Sequence, residues 1–410
     1  MPTQIRIDQL KVGMRIEKMD RSWLSTPFLR HRMTVTSSDQ IAQLRACGVK
    51  VLEVTYEEAP IHAESAELTV DEAPVAPEAE PVQPESTEPL PEPIPFTEEL
   101  PVARQVYLAA KSVIEEAMHD VRMGRAINMD AVNQVVADMA KSAVRNPDAL
   151  TSLSRLKNFD EYTFYHSVNT SVLALSLGRS MGMNQATLHR LGVGSLLHDI
   201  GKTKIPLEIL NKPGKFEPHE FEIMKQHAMR GVEVLSGTTG LTDEYVRPAL
   251  EHHERVDGTG YPYGRSREEL SQFGLISAVV DIYDAITSER CYHKAKPAHE
   301  ALQFLYMISQ KGHLEHTLVQ RFIQIVGVYP VGSVVALNTG EIAVVRRVNR
   351  DAPLMPEVLI VKSDGNTLLS NPETVDLACT ERSRRRSIVR VIDQGCVNIN
   401  PVTYLDPEAA

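Results

Sequence analysis

Five histidines and two aspartates in the middle of the chain are the residues whose chemistry stands out. They lie in short segments that are far apart in the sequence. The seven residues are His166, His198, Asp199, His227, His252, His253 and Asp281. Several stand beside apolar runs such as VGSLL and SAVV, where an imidazole or a carboxylate is costly to bury without a partner. One hypothesis covers all seven: several helix faces converge on bound cations.

The types of these side chains narrow the choice of metal. Imidazole and carboxylate without thiolate suit iron(II), manganese, zinc or nickel and disfavour a structural zinc site. Seven ligands are too many for one ion that keeps an open water position, whereas two ions can use them if a carboxylate bridges the pair. Two-metal sites are typical of phosphoryl chemistry. Taken singly, each histidine is more often an ordinary core or surface residue, and Asp281 could be a polar interruption of its helix.

Three motifs give this set a family resemblance. HDIGKTKIPLEILNKPGKF, HHERVDGTGYP and VVDIYDAITSER resemble, in order, content and spacing, the HD-GYP family of the HD phosphohydrolase superfamily. The similar region runs from about Tyr162 to Tyr306, well under half of the chain. The dipeptide HD alone would be a weak signal, but HDIGK followed by HHExxDGxGYP is specific.

The resemblance implies a role for each of the seven residues. Four would bind a first metal ion: His166, His198, Asp199 and Asp281. Three would bind a second ion: His227, His252 and His253. Asp199 would bridge the two ions, and Lys202 matches the family lysine that contacts the scissile phosphate or the bridging water. Without the resemblance, Lys202 reads as a solvated loop lysine.

Further residues are implied in substrate binding. Gly260, Tyr261 and Pro262 fit a tight loop over the site in which Tyr261 touches a guanine or a phosphate, and the loop is also a candidate docking surface for a signalling protein. Arg290 matches a family arginine that binds phosphate. As alternatives to these binding roles, the loop could be an ordinary Gly/Pro turn and Arg290 a surface arginine.

The resemblance also implies a reaction. A metal-bridging hydroxide would attack phosphorus in line and displace the ribose 3′-oxygen of cyclic di-GMP, giving linear pGpG first, and the final product is either pGpG or, if a second hydrolysis follows, GMP. Some members carry a glutamate one turn before the first histidine for a third metal. Here that position is Tyr162, which favours two ions over three. The expected ions are iron or manganese, with zinc and nickel as alternatives. The rival functions are a weakly catalytic cyclic dinucleotide sensor or scaffold, and an HD hydrolase of another nucleotide such as cyclic GMP-AMP.

The elements that must hold these residues are predicted to be helices. From about Val102, apolar residues recur at intervals of three and four for more than two hundred residues. Around the motifs the pattern covers 168–177, 186–197, 221–235, 246–250, 276–286 and 298–308. After Tyr329 the period changes to two, which predicts strands. In the N-terminal region, QIRIDQL and VKVLEVTY alternate as strands do, and Ser37 or Ser38 could cap a helix through Leu44.

These patterns and the resemblance together predict a mainly α fold with an HD-type helical bundle. The expected domains are a small α/β domain (1–57), an acidic, proline-rich disordered linker (58–100), the helical catalytic domain (101–328) and a β-rich extension (329–410).

Charge and composition exclude several classes of partner. The formal charge is −11, but residues 57–99 hold thirteen Asp or Glu and no Lys or Arg, so the rest of the chain sums to +2 (−11 minus −13). Duplex nucleic acid is therefore not expected as a partner. The sequence has no run of 18 apolar residues, so membrane insertion is not expected either. The N-terminal sequence lacks the apolar core of a secretion signal, and the four scattered cysteines form no CxxC pair. We expect a cytoplasmic protein that acts on a small phosphate compound.

Overall fold

The computed structural model divides the chain into two compact units, Met1–Leu90 and Pro91–Ala410. It describes residues 3–12, 14–19, 33–35, 41, 44–45, 49–56, 94–154, 162–288, 295–364, 367–379, 386–392, 397 and 399–405. None of the helices in these ranges has the length and hydropathy needed to span a bilayer.

The first unit contains a four-stranded antiparallel sheet in the order β1-β4-β2-β3. The strands are β1 (Thr3–Arg6), β2 (Met14–Met19), β3 (Met33–Thr34) and β4 (Val51–Tyr56). Ile16, Leu52 and Val54 are buried on it, as the alternating pattern predicts. The strands predicted in QIRIDQL and VKVLEVTY are thus present. Of the helix predicted from Ser37 or Ser38 to Leu44, the structure describes Ile41 and Leu44, which are helical; the rest of it, and most of the linker predicted at 58–100, lie outside the described residues.

The second unit starts with a helical region of twelve α-helices in the described residues. Its helices are α1 (Phe96–Arg122), α2 (Met129–Arg145), α3 (Pro147–Leu153), α4 (Tyr162–Ser180), α5 (Gln185–Leu196), α6 (Leu207–Leu210), α7 (Pro218–Lys225), α8 (His227–Ser236), α9 (Asp243–Glu251), α10 (Gln272–Thr287), α11 (Ala298–Gln310) and α12 (His316–Val326). The mainly α prediction is confirmed.

Side-chain caps fix where several of these helices begin. Asn128, Asn184 and Ser271 each accept a hydrogen bond from a backbone N–H in the first turn of α2, α5 and α10, at 3.2, 2.8 and 3.0 Å. The periodic segments of the sequence all fall on helices, but 221–235 is divided between α7 and α8. The break at Gln226 makes His227 the first residue of α8.

Helix α1 begins earlier than the sequence patterns predict. Residues 96–100, assigned above to the disordered linker, form its first turn. The reason is a buried ion pair: Glu99 is fully buried, accepts a hydrogen bond from Ser142 at 2.6 Å and pairs with Arg145 of α2 at 2.7 Å. This partner lies 46 residues away, so local composition, which is rich in Pro and Glu there, does not reveal it.

The C-terminal part of the second unit is a five-stranded antiparallel sheet in the order β8-β7-β6-β5-β9. The strands are β5 (Val334–Leu337), β6 (Ile342–Arg347), β7 (Glu357–Lys362), β8 (Leu368–Asp376) and β9 (Ile388–Val391), followed by the short helix α13 (Val402–Leu405). Val334 and Val344 belong to one hydrophobic cluster, Val335 and Val345 to another, which is the period of two that predicted strands.

Candidate metal centre

One group of candidate ligands comes from α4, the segment after α5, and α10. His166 Nε2 lies 3.1 Å from Asp281 Oδ1 and 3.5 Å from Asp199 Oδ2. His198 Nε2 lies 3.5 Å from the same Asp199 oxygen and 3.9 Å from Asp281 Oδ1. All four side chains are buried. The structure thus brings together residues up to 115 positions apart in the sequence.

A second group faces the other oxygen of Asp199. His227, at the start of α8, and His252, just after α9, place their Nε2 atoms 3.5 and 3.8 Å from Asp199 Oδ1 and 3.2 Å from each other. His253 joins them, and the ligand atoms of these three histidines lie within 4.8 Å of one another. One carboxylate therefore stands between two clusters of imidazoles and directs a different oxygen at each.

Hydrogen bonds on the far side of the rings set the direction of the imidazole lone pairs. The Nδ1 atoms of His198, His227 and His252 lie 2.7, 2.7 and 2.8 Å from backbone carbonyl oxygens of the preceding turn. A carbonyl only accepts, so each Nδ1 carries the proton and donates it. Each Nε2 lone pair is then left facing the centre, which is the arrangement of metal-binding histidines.

The centre has the properties that bound divalent ions would require. Among the described residues, His198 Nε2 and Asp199 Oδ1 are buried without a hydrogen-bond partner. Leaving a buried polar atom unsatisfied typically costs about 1–3 kcal/mol. A cation between the imidazoles and the carboxylate would satisfy both atoms, and the donor set of nitrogen and oxygen suits a transition-metal ion. The residues present therefore fit a pair of divalent ions.

The pKa shifts of two histidines and of Asp199 give these side chains the protonation states that metal binding requires. Burial lowers the pKa of His198 to about 4 and that of His227 to about 3, so both rings are neutral and able to bind a metal at neutral pH. Burial alone would raise the pKa of Asp199, but Lys202 and the surrounding imidazoles hold it well below its usual range. Asp199 is therefore an anion.

Asp284 is a functional residue that the sequence reasoning missed. It lies one turn after Asp281 on α10, and its Oδ2 accepts a hydrogen bond from His166 Nδ1 at 2.8 Å. Burial lowers the pKa of His166, but hydrogen bonds with Asp281 and Asp284 outweigh burial and raise it to about 9. The spacing of three residues on one helix face was the available signal, because such residues point the same way.

We expect metal uptake to release a proton from His166. Below about pH 9 the metal-free ring is protonated, and only the neutral ring can bind a cation, so the apparent affinity should rise with pH up to that value. Calorimetric titration with manganese(II) at about pH 7.5, in buffers of different ionisation enthalpy, should show release of about one proton. Asp284→Asn should release less. A heat of binding that is the same in every buffer would contradict this assignment.

Lys202 lies where the centre meets a cavity. Its Nζ contacts Asp199 Oδ2, and its side chain is 24% exposed. The cavity, of about 840 Å³, is bordered by Lys202, Thr203, Thr163, Phe164 and the C-terminal half of α1. A ligand in this cavity would therefore meet an ammonium group beside the candidate metal ligands.

The GYP loop, formed by Gly260, Tyr261 and Pro262, covers the second group of histidines. The Tyr261 ring stacks on that of His253, with centroids 4.6 Å apart, and the Tyr261–Pro262 peptide is cis. A Cβ at Gly260 would lie 2.4 Å from the Cα of Glu254, so only glycine fits there. Glu254 also accepts hydrogen bonds from the backbone N–H of Tyr263, at 2.7 Å, and of Arg265. Glu254 was the second residue that the sequence reasoning missed.

Two sequence predictions rest on side chains that the structure does not describe. Arg290, predicted to bind phosphate, and the side chain of Tyr162, which decided for two ions over three, lie outside the described part of the chain. Both stay predictions.

Three parts of the chain match known domain families. Residues 134–318 match the family described as HD domain, residues 3–132 the domain of unknown function DUF3391, and residues 334–397 the KOW domain associated with HD domain.

Named relatives extend these matches. The chain is 35% identical over 378 residues to cyclic di-GMP phosphodiesterase PA4108 of Pseudomonas aeruginosa, covering 92% of this chain and 89% of that protein. It is 39% identical over 166 residues to a cyclic di-GMP phosphodiesterase of Thermotoga maritima, covering 40% of this chain and 45% of that one. It is 30% identical over 201 residues to 3′3′-cGAMP-specific phosphodiesterase 3 of Vibrio cholerae, covering 47% and 44%. Since the first match runs along nearly the whole length of both proteins and the HD and GYP motifs stand in the geometry described, the chain belongs to the HD-GYP family of HD-domain phosphohydrolases.

Proposed function

We propose that this chain is a metal-dependent phosphodiesterase that hydrolyses cyclic di-GMP to linear pGpG or, through a second hydrolysis, to GMP. The observation that carries the proposal is the position of Asp199, whose two oxygens face two separate clusters of imidazoles. The substrate is supported by the names of the relatives, above all the Pseudomonas aeruginosa protein that matches along most of its length.

The roles of the ligands follow from their contacts. Two divalent ions held by this centre would supply a water of lowered pKa and would neutralise charge on the phosphodiester. His166, His198 and Asp281 would hold one ion, the three remaining histidines the other, and the anionic Asp199 both. We favour iron or manganese, with zinc and nickel as alternatives that suit the same donor set.

Lys202 at the cavity and residues of the GYP loop would bind the substrate. The Lys202 ammonium stands beside Asp199 at the cavity wall, where it can stabilise the negative charge that develops on the phosphate oxygens. Tyr261, stacked on His253, offers an aromatic surface to a guanine, because bases stack on aromatic rings. Gly260 and Pro262 shape the loop that carries this ring. Arg290 as a phosphate ligand, partner docking through the GYP loop and a cytoplasmic location remain predictions.

A second substrate deserves a direct comparison. One relative, 30% identical, is named a 3′3′-cGAMP-specific phosphodiesterase, and cyclic GMP-AMP differs from cyclic di-GMP in one base. The centre would act on the phosphodiester that both compounds share, so the preference between the two substrates has to be measured as a ratio of kcat/KM values.

The test is a turnover assay under anaerobic, reducing conditions. The purified full chain, loaded with manganese(II) or iron(II), is incubated with cyclic di-GMP, cyclic GMP-AMP or cyclic di-AMP, and the products are separated by chromatography. We expect linear pGpG from cyclic di-GMP, at a higher kcat/KM than for the other two, and no product after the metal is removed with a chelator. Tight binding of cyclic di-GMP with no product after long incubation would instead indicate a sensor.

A further inference from the structure

A buried chain of hydrogen bonds connects helix α1 with the candidate ligand His166. The Tyr107 hydroxyl lies 2.6 Å from Asn169 Oδ1, and Asn169 Nδ2 lies 2.9 Å from Asp284 Oδ1. The other Asp284 oxygen accepts the hydrogen bond from His166 Nδ1. The four residues are 4%, 1%, 1% and 2% exposed, so bulk water does not compete for these bonds.

The chemistry of the four groups leaves one arrangement of donors. The Asp284 carboxylate only accepts, so His166 must donate a hydrogen bond to it on one side and the amide nitrogen of Asn169 on the other. The amide oxygen of Asn169 then faces Tyr107, whose hydroxyl must donate. If the amide were turned round, its oxygen would face a carboxylate oxygen. Each link thus fixes the orientation of the next.

Tyr107 lies outside the part of the chain that matches the HD domain. That match covers residues 134–318, and Tyr107 falls within the DUF3391 match at 3–132. Helix α1 nevertheless packs in the second unit, with the candidate centre. It also meets the segment after Asp199, where Lys204 Nζ donates to the carbonyl oxygen of Val121 at 3.0 Å. The family boundaries therefore separate residues that the hydrogen bonds join.

We propose that Tyr107 is a positioning residue of the metal centre, which acts through Asn169 and Asp284 to hold the His166 ring. The inference rests on the proposed function, because it takes His166 as a metal ligand. Groups that hydrogen-bond to the far side of a metal-binding histidine fix its ring orientation and raise its affinity for the metal. Tyr107 extends that support by two residues, from a helix that the HD domain match does not contain.

The matched pair of variants is Tyr107→Phe and Tyr165→Phe. The two tyrosine rings stack, with centroids 6.1 Å apart, so each variant removes one hydroxyl from one of two neighbouring rings. Manganese(II) titration of the metal-free full chain should show an affinity about tenfold weaker for Tyr107→Phe, the lower end of the effect of a direct supporting partner. Tyr165→Phe should bind like the wild type.

Two further readouts separate positioning from a general loss of stability. In the metal-free protein, the NMR signal of the His166 Nδ1 proton should shift in Tyr107→Phe and stay in place in Tyr165→Phe. In a double-mutant cycle, Asn169→Leu cuts the chain one step nearer to His166, so adding Tyr107→Phe to it should weaken manganese binding no further. If Tyr107→Phe did not fold, Asn169→Leu alone would give the same titration and NMR test.

Each outcome decides a different point. Equal manganese affinity in Tyr107→Phe and wild type would overturn the inference while the proposed function stands. Additive losses in the double-mutant cycle, or an equal loss in Tyr165→Phe, would overturn it too, because they would indicate ordinary packing effects. A wild-type protein that binds none of manganese(II), iron(II), zinc(II) and nickel(II) would remove the proposed function and the inference with it.

Discussion

Replacing Asp199 by alanine is expected to abolish hydrolysis of cyclic di-GMP and to lower the metal content of the protein below two ions per chain. Among the described residues, Asp199 is the one whose two oxygens face both clusters of imidazoles, and its side chain is buried. Losing it removes a ligand from each ion and the negative charge that balances them. A loss of about 4 kcal/mol of transition-state stabilisation, in the range that a bound metal supplies, corresponds to a rate about 10³-fold lower.

The measurement combines turnover with elemental analysis of the purified protein. Asp199→Asn serves as a second variant, because it keeps the volume and loses the charge, and it should be nearly as inactive. Asp148→Asn is the matched control: Asp148 is a largely buried aspartate that pairs with Arg350 at 2.8 Å, away from the centre. It should retain metal content and turnover. Full activity in Asp199→Ala would show that the site has been assigned to the wrong residues.

The candidate ligands could be selected from the sequence because their chemistry is unusual where they stand. Buried imidazoles and carboxylates need partners. The other histidines and aspartates of the set lie on or next to predicted helices, and helices that pack together can bring such side chains into contact. The structure does bring the seven residues together, through α4, α8, α10 and the segments after α5 and α9. Residue type carried this prediction, and it did not depend on knowing how the helices pack.

The supporting residues could not be selected in the same way. Asn169 and Asp284 look like ordinary polar residues of helices, and what gives them a role is a partner 115 positions away. Glu99 sits in a proline-rich, acidic stretch, yet its pairing with Arg145 makes that stretch the first turn of α1. In each case a long-range hydrogen bond overrode the local pattern. The break between α7 and α8 likewise falls inside a segment whose periodicity is continuous.

Gly201→Ala is expected to disable the second group of ligands although it changes no ligand. Gly201 follows Asp199 by two residues, and a Cβ there would lie 1.9 Å from the carbonyl oxygen of His227 and 2.4 Å from the amide nitrogen of Gly231. Both are backbone atoms of α8, which cannot rotate away as a side chain could. Reaching even 3.0 Å from the His227 oxygen requires the contact to open by about 1 Å. Either Asp199 or His227 must then leave its position.

A displacement of that size should be visible in three measurements. Metal ligands tolerate changes of only about 0.2 Å, so one ion should be lost or weakened, and a misplacement of about 1 Å lowers turnover by about 10²-fold. Overpacking should reduce the free energy of unfolding by about 1–3 kcal/mol. Gly237→Ala, at the end of the same helix, is the control, because its Cβ would meet its nearest neighbour at 3.5 Å, an ordinary contact. If Gly201→Ala kept two ions and wild-type turnover, the close approach of this loop to α8 would not be what holds His227 beside Asp199.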